Sequence, residues 1–211
     1  VLPNLEELRL SKNKDIAKIW QGPFTDHLLN KLEHLWLWEQ NSKLNTVFQN
    51  LETLSAHFCL NLTNLMPSSA SFRCLTKLRV WACEHLINLV ASSAAKNLVQ
   101  LVHVSVSECS KITELVVASE GDAANDEIIF PKLGYLELHR LQSLTTFCSA
   151  NYTFKFPSLC DLSVSACPKM KIFCGGVFSA PRLKEVCLND IEKLFYLLIF
   201  EIIRFLIEIK E

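Results

Sequence analysis

Glycine and proline are scarce in this chain: 5 and 7 residues out of 211. That excludes a collagen-like repeat and a turn-rich propeller, and it argues against a disordered linker. Charge of one sign is also missing. Lys plus Arg (21) nearly matches Asp plus Glu (22), and no basic run occurs, so a nucleic-acid footprint is unsupported. No G-x-x-x-x-G-K-[ST] phosphate loop, G-x-S-x-G nucleophile elbow or H-E-x-x-H pair is present. Nine cysteines occur without any C-x₂₋₄-C pair. The tightest run, Cys160, Cys167 and Cys174, leaves six residues in each gap, so a zinc site is not expected. The reading is therefore no enzyme, no cofactor and no metal.

The chain starts at Val1 and enters patterned sequence at once, without a visible signal peptide. A piece of a longer protein is the expectation. The odd cysteine count and the absence of cysteine-rich flanks point to a reducing, cytoplasmic compartment. The triplets Asn61-Leu62-Thr63 and Asn151-Tyr152-Thr153 read as chance sequons.

What is present is apolar residues, half of the chain, in a repeating frame. Leu75-x-x-Leu78-x-Val80-x-x-Cys83-x-x-Leu86-x-x-Leu89 has the spacing of Leu101, Val104, Val106, Cys109, Ile112 and Leu115. The frame returns at Leu133 to Phe147, Leu159 to Phe173, Leu51 to Leu65 and Leu5 to Ile19, with weaker copies from Leu32 and Leu183. About eight irregular copies follow, starting at 5, 32, 51, 75, 101, 133, 159 and 183. Most intervals fit the 20–29 residues of leucine-rich repeats. A short interval separates the second and third copies. A long one follows 101 because of an acidic insertion, Ser119 to Asp126.

Within Leu-x-Leu the side chains alternate, which predicts a strand with its leucines inward. Apolar residues at every third position then predict a tight return with 3₁₀ or helical character. One repeat cannot bury its stripe alone, but stacked repeats can. The fold class expected is an α/β leucine-rich-repeat solenoid over residues 1–193. A parallel sheet should line its concave side, with irregular, 3₁₀ or helical returns on the convex side. Asn13, Cys59, Cys83, Cys109 and Cys167 share one position, where a small buried donor would serve turning backbone carbonyls. Gly175-Gly176 reads as a turn. Residues 194–211 form an apolar tail too short and too charged to span a membrane, with Glu201, Arg204, Glu208 and Glu211 on one helical face. It reads as a capping helix or as an unnatural tail.

Outward strand positions should line up in columns. Three of four tryptophans fall there, Trp36, Trp38 and Trp81, among His34, His57, Arg79 and His103. Trp and Arg dominate binding hot spots, so these seven residues form the candidate protein-contact patch. The tryptophans could instead pack on one another or against an upstream domain. Each histidine is expected at the surface.

Leu2-Pro3-Asn4-Leu5, Phe130-Pro131-Lys132-Leu133, Phe156-Pro157-Ser158-Leu159 and Ala180-Pro181-Arg182-Leu183 open four copies. With Leu78-x-Val80-x-x-Cys83-x-x-Leu86, this texture resembles the leucine-rich repeats of plant intracellular disease-resistance receptors. It looks like the coiled-coil class, whose repeats follow a nucleotide-binding module. The Gly-x-Ile-Pro turn of extracellular plant repeats is absent. The resemblance implies recognition in innate immunity. The partner would be a pathogen effector, a modified host protein or the receptor's own upstream domains, with no nucleic acid and no membrane. The substrate-recognition repeats of F-box ubiquitin-ligase adaptors are the alternative relative, and a truncated receptor fragment is the other reading.

Overall fold

The computed structural model describes residues 5–11, 31–39, 50–66, 72–119 and 126–189. The strand of every copy enters one eight-stranded parallel sheet. Its members are β1 (Glu7–Ser11), β2 (His34–Trp38), β3 (Thr53–His57), β5 (Lys77–Trp81), β7 (His103–Ser107), β10 (Tyr135–His139), β12 (Asp161–Ser165) and β14 (Glu185–Asn189). Register is in phase throughout. Glu7 pairs with His34, His34 with Thr53, Thr53 with Lys77, and so on to Asp161 with Glu185. The two inward positions of each strand are buried from β2 to β12, as the period-2 pattern requires.

The returns differ from the helical or 3₁₀ segments expected from the sequence. They run as short extended pieces that pair with their neighbours. One three-stranded parallel sheet holds β4 (Asn64–Met66), β6 (Asn88–Ala91) and β8 (Val116–Val117), and another holds β9 (Glu127–Ile129), β11 (Thr153–Lys155) and β13 (Val177–Ser179). Among the described residues the one helix is α1 (Ser92–Ala95), a single turn. The physical reason is backbone pairing. An extended return lies alongside the same segment of the next turn and satisfies its N–H and C=O groups there. An extended piece of two to four residues could make almost no internal helical bonds.

Two tight turns join the layers. Before each of five sheet strands, an N–H three residues on bonds back to a carbonyl, as in Leu75 to Phe72, Leu133 to Phe130 and Leu159 to Phe156. Pro131, Pro157 and Pro181 sit at the second turn position, where their fixed φ fits. After the strand, six residues in the same repeat position take positive φ: Glu39, Phe58, Ala82, Glu108, Arg140 and Ala166, at 51–56°. None is glycine. From Glu39 to Arg140, the five backbone N–H groups of this series each bond to the following strand's last carbonyl at 2.9–3.0 Å, which holds the left-handed turn in place.

The cysteine position behaves as the sequence predicts. Cys59, Cys83, Cys109 and Cys167 are fully buried. Their thiols lie 3.3–3.6 Å from the carbonyl two residues back, and three also reach a carbonyl of the preceding turn at 3.5–3.9 Å. The core continues through rows of Leu, Val and Ile. In the later turns it becomes a file of aromatic rings: Phe130 stacks on Phe156 at 5.3 Å, and Phe147 on Phe173 at 5.0 Å. Gly175 and Gly176 are not a free turn. A Cβ on Gly176 would stand 2.1 Å from the Tyr152 carbonyl oxygen, and one on Gly175 2.5 Å from that of Ser149. Adjacent turns abut backbone to backbone there. The tail 194–211, Asn13, most of the acidic insertion and the short interval after β2 lie outside the described residues.

Candidate functional site

The exposed face of the long sheet is built from the odd positions of each strand. Parallel pairing in register puts Trp36, Ser55, Arg79 and Ser105 in one row and Trp38, His57, Trp81 and Ser107 in the next. Neighbours in a row stand about 4.8 Å apart, so side chains separated by twenty residues in sequence touch.

They do touch. The rings of Trp38 and His57 lie 5.5 Å apart, and those of His57 and Trp81 5.9 Å apart, edge on. Phe58 joins both ends of this set, 5.1 Å from Trp38 and 4.6 Å from Trp81. Such aromatic pairs contribute about 0.5–1.5 kcal/mol each beyond the area they bury. The Arg9 guanidinium stands 5.6 Å from the centre of the Trp36 ring. The tryptophans therefore pack on their neighbours, yet Trp38 remains 41% exposed. An indole exposed to that degree lies on the sheet face rather than in the core.

Phe58 escaped the sequence reading because it belongs to the turn rather than to an outward strand position. The signal was there. The equivalent positions hold Glu39, Ala82, Glu108, Arg140 and Ala166, so Phe58 is the one aromatic of that series.

Beneath the shelf the polar accounts do not balance. Among the described residues, Trp36 Nε1, Ser55 Oγ and His57 Nε2 are buried side-chain atoms without a hydrogen-bond partner. Ser55 is fully covered although it occupies an outward position, between Trp36 and Arg79 in its row. An unsatisfied buried polar atom costs about 1–3 kcal/mol, and native proteins keep few of them.

The histidines stand at the surface to different degrees, with His85 and His139 exposed. His34, His57 and His103 are all partly buried. Burial, aided by the Arg79 charge, holds His57 below the ordinary imidazole range. Burial does the same to His103. Glu137, with its carboxylate 3.9 Å away, opposes that shift, and Arg79 and Lys77 reinforce it. Lys77 and Arg79 themselves are exposed. The seven residues singled out in the sequence thus fall on four adjacent strands. Trp38, His57 and Trp81 are in ring contact, while His34 and His103 flank them on β2 and β7.

Among the described residues, no group of three His, Cys, Asp or Glu side chains could hold a metal ion. The cysteines are buried or half-buried, and none of the nine forms a disulfide. The Cys83 thiol is pushed up to about 12, first by its hydrogen bond with the Cys109 thiol, and the Cys148 thiol to about 11 by burial. Thiols held so far up are poor nucleophiles at neutral pH, while the fully buried Cys109 thiol is shifted down by its hydrogen bond with Cys83. The interior of the turns from β5 to β10 encloses an apolar cavity of about 20 Å³, between Leu101, Val104, Leu115 and Phe130. That is room for little more than a methyl group or one water molecule. No helix among the described residues is long and apolar enough to cross a membrane.

Comparison with known proteins gives one family. Residues 68–194, more than half of the chain, match the model of plant disease resistance protein RPS2-like leucine-rich repeats. No curated protein and no solved structure matches the chain. The matched span begins just before β5 and runs through β14. The chain belongs to the RPS2-like leucine-rich repeats of plant disease resistance proteins.

Proposed function

We propose that this chain is the protein-recognition module of a plant innate-immune receptor in the cytoplasm, and that the sheet face around Trp38 and Trp81 is its contact surface. In this reading the repeats sense a pathogen effector, or a host protein that an effector modifies. The same face contacts the receptor's own upstream domains in the resting state. The observation that carries the proposal is the aromatic shelf Trp38, His57, Phe58 and Trp81, with unsatisfied polar atoms beside it. Large rigid aromatics next to arginine supply binding energy at low entropic cost. The module itself has no catalytic role in this proposal. It needs no cofactor, metal, nucleic acid or membrane.

The test replaces both tryptophans in the intact receptor, Trp38→Ala with Trp81→Ala. Co-precipitation with the upstream domains and with the recognised protein should fall at least tenfold, since hot-spot truncations cost roughly 2 kcal/mol or more each. Binding to every partner at wild-type strength would remove the patch from consideration. The second reading, substrate recognition in an F-box ubiquitin-ligase adaptor, predicts an F-box upstream in the transcript rather than a nucleotide-binding module.

A further inference from the structure

The contact face is polarised along the solenoid. The outward residues of β2, β3, β5 and β7 include Lys77, Arg79, His34, His57 and His103 but no acid. The acids of the sheet face, apart from Glu7, lie further on at Glu137, Asp161 and Glu185. Glu7 is taken up by Arg9 at 2.7 Å. Among the described residues no carboxylate pairs with Lys77 or Arg79, although ion pairs form elsewhere, as between Arg140 and Glu108.

Arg79 presents a planar fork of donors, next to Ser55 in the row. With Lys77 it stands exposed beside the aromatic shelf, where the Glu39 carboxylate is engaged by Trp38 Nε1 at 3.3 Å. Two full cations are too few for a phosphate backbone, which recruits a stripe of them.

Resting on the reading of this face as the contact surface, we infer that it takes an acidic-aromatic protein segment. A partner Asp or Glu carboxylate pairs with Arg79 beside Lys77, and an adjacent apolar or aromatic side chain stacks on Trp38 and Trp81. The carboxylate supplies the counter-charge that these two exposed cations lack among the described residues. Its charge is matched by the local excess of positive charge, and Arg79 receives it in two parallel hydrogen bonds. The acids at Glu137, Asp161 and Glu185 repel the rest of such a segment and so fix its position toward β2 and β5.

The test is selection of random twelve-residue peptides displayed on phage against the full chain, followed by titration of the enriched peptides as synthetic, labelled molecules. Arg79→Glu, Arg79→Gln and the double change Trp38→Ala with Trp81→Ala are titrated in parallel, each checked for an unchanged melting transition. The expected pool is enriched in Asp or Glu within a few residues of Trp, Phe, Tyr or Leu. Its peptides should weaken at least about tenfold with Arg79→Glu, and likewise when their own acids become amides. They should weaken less with Arg79→Gln, which is the variant to use if the charge reversal lowers the melting point. Peptides sensitive to the tryptophans but without acids, or indifferent to Arg79, overturn the acidic-partner inference while the contact surface stands. Peptides indifferent to the tryptophans, or a selection that enriches nothing, overturn both. Binding of a single-stranded RNA twelve-mer to the same patch, in competition with the peptides, also overturns the inference.

Discussion

At the scale of single residues, the repeat imposes one strained conformation and tolerates it everywhere. Six L-residues hold positive φ after their strands. Left-handed backbone costs an ordinary residue about 1–2 kcal/mol, part of which glycine gives back as greater freedom in the unfolded chain. Ala166→Gly is therefore expected to raise stability by roughly 0.5–1 kcal/mol, seen as a later urea midpoint at constant slope. Phe58→Gly should lower it, because the ring contacts to Trp38 and Trp81 go with the side chain. The partly buried histidines act in the opposite sense to a usual salt-bridged group. His57 and His103 have folded-state values held below the unfolded value, so the folded form binds fewer protons. Their contribution is present above about pH 6.5 and is lost as the pH falls below it. The melting temperature should drop between pH 7.5 and 5.5, and the drop should shrink in His57→Gln with His103→Gln. An undiminished drop would assign the acid sensitivity to other groups.

At the scale of elements, the strands were legible from sequence and the returns were not. Leu78-x-Val80 has period 2, and a sheet strand is the one element that buries both residues on one side. The outward columns followed from that register alone, which is why Trp36, Trp38, His57, Arg79 and Trp81 could be placed on one face. The return after Cys83 carries Leu86 and Leu89 at a spacing of three. That spacing suits a 3₁₀ turn and an extended piece equally. The choice is made by pairing with the next turn, a contact that local sequence does not encode. Phe58 was missed for a related reason, since a turn residue joins the face only when two neighbouring strands bring Trp38 and Trp81 beside it. Gly175 and Gly176 were read as a local turn, but their role is set by the backbone of the preceding repeat. Gly176→Ala should cost about 1–3 kcal/mol by forcing two turns apart, measured by chemical denaturation. A neutral result would mean that the turns do not abut as described.

At the scale of the molecule, the solenoid converts spacing in sequence into rows in space. Each turn contacts its neighbours, and the face they build together belongs to no single repeat. The thiol and leucine rows hold the turns in phase, so Trp38 on β2 and Trp81 on β5 both contact His57 and Phe58 between them. Function then follows from what the rows present. The strands from β2 to β7 offer rings, donors and cations, and those from β10 to β14 include the acids Glu137, Asp161 and Glu185.

The most direct test of that account is site-specific photo-crosslinking of the intact receptor in plant cells. A photoreactive amino acid is placed at Lys77 or Ser105 on the sheet face, or at Ile172 or Val177, which are exposed on the return side. The account predicts crosslinks to a protein partner or to the upstream domains from the first pair of positions, abolished by Trp38→Ala with Trp81→Ala. Crosslinks from Ile172 or Val177 alone, unaffected by loss of the tryptophans, would place recognition on the other side of the solenoid and contradict it.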